Sequence, residues 1–248
     1  WSGILRGAAV VFYAYLGFDA LSTAAGEARN PQKDMPKGIL ISLLICAILY
    51  ISVTLVLTGI VNYKELNVPA PIALAIDRTG EGLSWLSPFI KLGAIAGLSS
   101  VILVMMLGQS RIYYSISKDG LLPKVFSKVH PKHGIPHNAT IFASIVTGLI
   151  AGLFPLHVLS ELVSIGTLMA FTIVCISIIV LRKTQPDLKR PFKTPFVPLI
   201  PLLGAAICIT QMAFLPWSTW ARLIGWTIVG FIIYFTYGIK HSKLNSKP

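Results

Sequence analysis

A helical bundle that crosses a membrane several times is the fold class this chain predicts, and three observations carry it. Hydrophobic residues make up 54% of the sequence, charged residues 12%, and the mean hydropathy is +0.75; a soluble domain averages about a quarter charged. Uncharged runs recur at lengths that cross a hydrocarbon core with about 20 residues of helix. The net charge of +12 gathers almost wholly in alternate connections between those runs. Every run is helix-length, which argues against a barrel of short alternating strands. The chain reads as one all-α integral membrane domain with seven spans, at about 5–28, 38–62, 88–112, 138–155, 159–182, 196–216 and 221–240.

The first span holds Tyr13-Ala14-Tyr15-Leu16-Gly17-Phe18-Asp19-Ala20, a carboxylate, two phenols and a glycine within an apolar run. An ionised group at a helix centre costs at least roughly 2.5–3.5 kcal/mol in a bilayer, so Asp19 is expected to face protein or a watery path. Gly17 marks where the helix can open. A helix restarting at Gly17 or Phe18 places Asp19 in a first turn, where it caps open N–H groups, and this structural role stands beside a functional one. Both readings put a break near Leu16–Gly17, and interrupted helices in membrane transporters expose backbone groups that bind substrates and ions. Tyr13 and Phe18 flank the break, either closing over a small ligand or packing. Glu27, two residues before Arg29, reads as a gate or a capping salt bridge at the inner end.

Asn30-Pro31 is expected to end the first span, and Pro36 to sit in the first turn of the second. In the outer loop, Pro69-Ala70-Pro71 predicts a short surface helix through Arg78, closed by Thr79-Gly80. The third span carries Ser99 and Ser100 within Gly97-Leu98-Ser99-Ser100, where small residues also suit helix packing. It is followed by Arg111 to Lys118, which can prolong the helix, and by a turn at Asp119-Gly120. His130, His133 and His137 are interleaved with Pro131, Gly134 and Pro136, which break any helix that would align them; no metal is expected. Glu161 is placed in the first turn of the fifth span. Pro186, Pro191, Pro195, Pro198 and Pro201 predict a stiff, extended connection to the sixth. Cys46, Cys175 and Cys208 fall in apolar runs as small hydrophobes, and the sequon at Asn138 lies on the inner side by the charge bias.

Sixteen of the 21 Lys and Arg fall inside if the first span runs inward, leaving only Arg6, Lys64, Arg78, Lys91 and Arg222 outside. The positive-inside rule then sets an external N-terminal end and a cytoplasmic C-terminus in a multi-pass cell-membrane protein. The basic residues match topology and lipid headgroups, so no nucleic acid is expected. An odd span count and a first residue, Trp1, without initiator Met suggest that helices precede this stretch. An enzyme would need a convergent polar cluster that the spans lack, and a retinal protein a lysine within the last span. A noncatalytic assembly or channel-like subunit stays open as an alternative, since a polar break can line a pore.

Three stretches resemble one family. FYAYLGFDALSTAAGEARNPQKDMPKGI, from Phe12 to Ile39, resembles the sixth-helix region of cationic amino acid transporters of the amino acid, polyamine and organocation superfamily. GQSRIYYSISKDGLLPKVFSKVHPKHGIPHNAT, from Gly108 to Thr140, is similar to that family's link between helices eight and nine. LRKTQPDLKRPFKTPFVPLIPLLG, from Leu181, is similar to its link into helix eleven. The resemblance implies the leucine-transporter-type inverted-repeat fold, with the second five-helix repeat and two C-terminal helices here and the first repeat absent. It implies proton-coupled amino acid uptake by alternating access, with an amino acid, protons and membrane lipids as partners and no cofactor, and a fragment not competent alone. Residue by residue, Tyr13, Ala14, Leu16, Gly17 and Asp19 correspond to the substrate-binding stretch, Phe12 and Glu27 to possible gates, and Ser99 and Ser100 to possible ion-site equivalents. Tyr13 departs from the phenylalanine the family is expected to carry.

Overall fold

The computed structural model describes residues 1–18, 22, 28–68, 70–131, 134–188, 190 and 192–242. Asp19, Glu27 and His133 lie outside the described residues. Helix α1 spans Ser2–Val11 and passes into a 3-10 turn at Phe12–Tyr15. Then come α2 (Pro31–Ile60), the short α3 (Pro71–Arg78), a 3-10 segment (Glu81–Leu86) and α4 (Ser87–Lys118). A 3-10 turn at Lys124–Ser127 precedes α5 (His137–Leu153), α6 (Leu156–Thr184) and α7 (Leu199–Ala213). Last is α8 (Trp217–Ile233), prolonged through a π turn at Tyr234–Gly238 to His241. Among the described residues, four helices are long and apolar enough to cross a membrane: α2, α4, α6 and the 25 residues Trp217–His241. The apolar helices α1, α5 and α7 are shorter, and the 17 residues of α5 reach about 26 Å at 1.5 Å per residue.

Proline sets the starts. Pro31, Pro71 and Pro88 occupy the first turns of α2, α3 and α4, while Pro136, Pro155, Pro198 and Pro216 directly precede α5 to α8. A proline there forgoes an N–H that would be unpaired anyway, and its fixed φ suits helix entry. The Asn30 carbonyl opens α2 by accepting from Lys33 and Asp34 N–H at 3.0 and 2.9 Å, so the helix begins upstream of the expected 38 and Pro36 lies inside it, not in its first turn. Likewise the Pro155 carbonyl opens α6 by accepting from Val158 N–H at 3.0 Å, which moves Glu161 out of the first turn. The last helix starts at Trp217, ahead of the expected 221, where the Pro216 carbonyl accepts from Thr219 N–H at 2.9 Å.

Glycine ends α4 as the sequence predicts. Gly120 takes φ +86°, its N–H bonds to the Ser117 carbonyl and that of Leu121 to the Ile116 carbonyl, the pairing that closes a helix around a left-handed residue. The predicted helix Pro71–Arg78 also ends at a left-handed Gly80, φ +80°. The proline-rich link is not extended. Arg190 turns back and donates to the carbonyls of Leu181, Gln185, Pro186 and Leu188, at 2.6–3.2 Å, tying the link to the end of α6.

Packing concentrates where α1, α6, α7 and α8 meet. Ala9, Ile165, Leu168, Met212 and Leu215 are buried together, with Phe12, Met169, Trp220 and Leu223 against them. Polar ties bind the same bundle: the Trp220 indole donates to the Met212 carbonyl at 3.1 Å, and the Glu161 carboxylate accepts from the Thr219 hydroxyl at 2.8 Å and from Arg222 at 3.4 Å. A second nucleus joins α4, α5 and the turn between them through Tyr113, Phe126 and Phe142. The end of the last helix rests on it: the His241 carbonyl lies where a side chain on Gly120 would be, so Gly120 is required twice over. In contrast, none of the apolar stretch of α2 or of α4 is buried within the chain.

Candidate functional site

The α-helical pattern gives way at Phe12. The chain tightens to a 3-10 turn through Tyr15, Leu16 N–H bonds to the Tyr13 carbonyl at 3.2 Å, and helical geometry resumes at Gly17–Phe18. Mid-helix 3-10 geometry changes which carbonyls are paired and where they point, in a segment with little water to replace lost bonds. The interruption thus covers Phe12–Leu16, just ahead of the Leu16–Gly17 break the sequence predicts.

Its two sides are built differently. On the α6 side the rings of Phe12 and Phe18 meet Phe171, with centroids 6.0 and 5.5 Å away. Phe12 also packs on the buried core, so this side anchors the break. On the α2 side, Ala14, Tyr15, Gly17 and Phe18 face Ser42, Leu43, Cys46 and Tyr50 across a recess of ≈ 240 Å³. The Tyr50 hydroxyl donates to the Ala14 carbonyl at 3.2 Å, and the Tyr15 ring meets the Tyr50 ring edge-on at 5.1 Å. Ser42 donates within its own helix to the Gly38 carbonyl at 2.6 Å. The polar groups of the recess are thus few: a backbone carbonyl, two phenols, a thiol and a hydroxyl in an apolar wall. Such a lining orients a small ligand by one or two hydrogen bonds and holds it by apolar contact. Among the described residues, no constellation here would activate a nucleophile or move a proton between fixed partners.

Of the predicted site residues, the structure brings Ala14 and Gly17 into the recess and sets Leu16 at its turn. Tyr13, 38% exposed, belongs to neither set of ring contacts. Gly17 is not forced by sterics, because an added Cβ would meet nothing within 4 Å. Ser99 and Ser100 are exposed on α4; Ser99 donates back to the Ile95 carbonyl at 2.8 Å, and no described bond joins either to the interruption. Sequence reasoning missed Tyr50 and Phe171. The signal for Tyr50 was available, since a phenol midway along an apolar span needs a hydrogen-bond partner.

A family model for amino acid permeases matches residues 1–236. The chain belongs to the amino acid permease family. This permease chain is 46% identical to the branched-chain amino acid permease BcaP of Bacillus subtilis over 99% of its own length and 52% of the relative. It is equally, 46%, identical to the methylthioribose transporter of the same organism, over 98% of the chain and 52% of the relative. A vacuolar cationic amino acid transporter 4 of Arabidopsis thaliana is 42% identical over 75% of the chain and 31% of the relative. The resemblance to this family is therefore shown, and these relatives are transporters, not enzymes. With its apolar helices, the permease chain is a multi-pass membrane protein. It spans about half the length of the two bacterial relatives.

Proposed function

We propose that this chain forms the second half of a secondary active amino acid transporter, with the interruption at Phe12–Gly17 as one wall of the substrate site. The observation that carries the reading is the break itself: an aromatic-flanked 3-10 turn beside a small recess, inside an apolar helix of a permease-family chain. In this reading Tyr13 to Gly17 present backbone groups to the amino group of the substrate, Tyr13 and Phe12 flank its path, and Asp19 meets a cationic side chain or takes part in coupling. Glu27 is an inner gate and Ser99 and Ser100 remain candidate ion-site equivalents. The parent fold is the inverted-repeat type, with seven spans here, an external N-terminal end and a cytoplasmic C-terminus. A first repeat supplies the opposite wall, so this half alone does not transport. Uptake proceeds by alternating access coupled to protons, α1 and α2 rocking against a scaffold containing α4 and α5.

Identity is higher to a branched-chain amino acid permease, 46%, than to two cationic amino acid transporters, 42% and 35%, which supports a neutral aliphatic amino acid over arginine or lysine as the first substrate to test. The test is uptake of labelled leucine and arginine into proteoliposomes containing the full-length permease that carries this chain, with an imposed pH gradient. Saturable, gradient-driven leucine uptake is expected, and Asp19→Asn is expected to reduce it at least about tenfold, equivalent to about 1.4 kcal/mol. Absence of saturable uptake of any amino acid would overturn the transport reading. Wild-type rates with an unchanged pH profile in Asp19→Asn would reduce that residue to a helix cap.

A further inference from the structure

The Tyr50 hydroxyl lies 20 residues into α2, where a phenol O–H surrounded by apolar side chains needs a partner. It finds one 36 positions away, in the Ala14 carbonyl of the interrupted helix. That carbonyl belongs to the 3-10 turn, whose geometry differs from that of a continuous helix. The edge-on Tyr15 ring at 5.1 Å fixes the orientation of the phenol. Meanwhile α2 buries none of its apolar stretch within the chain, and its principal packing partner is the short α3. The Tyr50 contact is therefore a hydrogen-bonded link through which α2 and the break sense each other's position.

We propose that Tyr50 is a positioning residue that couples α2 to the interruption: its hydroxyl holds the Ala14 carbonyl in the 3-10 geometry and so sets how well the break receives the amino group of an amino acid. The inference rests on the reading of the break as a substrate wall. Closing the turn into continuous helix redirects the Ala14 carbonyl and releases Tyr50; a shift of α2 does the same from the other side. Cys46, one turn before Tyr50 on the recess wall, supplies a reporter that does not depend on transport.

The experiment uses the full-length permease with Cys175 and Cys208 replaced by alanine, along with any cysteine outside this chain, and compares wild type, Tyr50→Phe and Tyr15→Leu. Loss of one neutral hydrogen bond is expected to raise KM for leucine about fivefold in Tyr50→Phe, with maximal rate within about twofold. Alkylation of Cys46 by a small maleimide is expected to lose its protection by leucine in Tyr50→Phe. Tyr15→Leu keeps the hydroxyl and is expected to change KM less. Wild-type KM together with intact protection of Cys46 in Tyr50→Phe would overturn the proposal, as would an equal KM increase in Tyr15→Leu, which would assign the effect to ring packing. A wild-type protein with no saturable uptake would instead fail the transport reading itself, a result distinguishable from either.

Discussion

Helices α2 and α6 are nearly the same length, 30 and 29 residues, and both are apolar along most of it, yet they relate to the rest of the chain in opposite ways. Ile165 and Leu168 of α6 are fully buried in a core shared with α1 and α7, whereas the apolar stretch of α2 has no buried residue. Hydrophobicity alone thus decides insertion into a membrane, and packing between helices is a separate property supplied by a few positions. The interrupted end of α1 lies between the two, with an aromatic anchor on the α6 side and a single hydrogen bond and ring on the α2 side. Within this chain the support is unequal, a core on one side of the break and a hydrogen bond with a ring contact on the other.

The contrast between the two helices is largest at the core. Leu168→Ala, at a site with no exposure, is expected to cost about 2–5 kcal/mol, while Leu44→Ala on the bare face of α2 is expected to stay within about 0.5 kcal/mol. Thermal unfolding of this chain, purified in detergent, measures both, and equal losses would erase the distinction between the helices.

A smaller effect is expected at the ion pairs. Glu161, whose side chain is 15% exposed, keeps a bond to Thr219 when Arg222 is lost, and Arg222→Ala is expected to cost about 1–3 kcal/mol. Arg78→Ala removes the pair with Glu65, in which both side chains are more than half exposed, and is expected to cost under about 1 kcal/mol. Double-mutant cycles with Glu161→Gln and Glu65→Gln separate pair energies from single-site costs.

The last contrast is between two left-handed glycines. Gly80→Ala meets open space and bears only the strain of a side chain at φ +80°, whereas Gly120→Ala also collides with the His241 backbone. More than about 1 kcal/mol is expected at Gly120 and roughly 1 kcal/mol at Gly80. A lesser loss at Gly120, read from the same melting curves, would mean that the end of the last helix gives way without cost.

Local punctuation was the legible part of this fold. Pro71, Gly80 and Gly120 announce helix ends by backbone chemistry that needs no neighbour, and the break near Gly17 shows as polar and glycine residues in an apolar run. Pro36 misled because Pro31, five residues earlier, satisfies the same rule and the helix takes the first opportunity. What stayed hidden was contact at a distance. Glu161 with Arg222, Ala14 with Tyr50 and Gly120 with His241 each join positions 36 or more apart, and no periodicity or spacing encodes such pairs. The recess was legible on its α1 wall for that reason, and the α2 wall was not.

Whether the break is a substrate wall is tested most directly by a thiol placed within it. Gly17 accepts a side chain without collision, so Gly17→Cys can be introduced into the full-length permease and alkylated with a small maleimide in the presence and absence of amino acid. If the break lines the substrate site, a transported amino acid slows alkylation of that thiol in a saturable manner, and one not transported leaves it unchanged. Identical rates with and without a saturating transported substrate would contradict it.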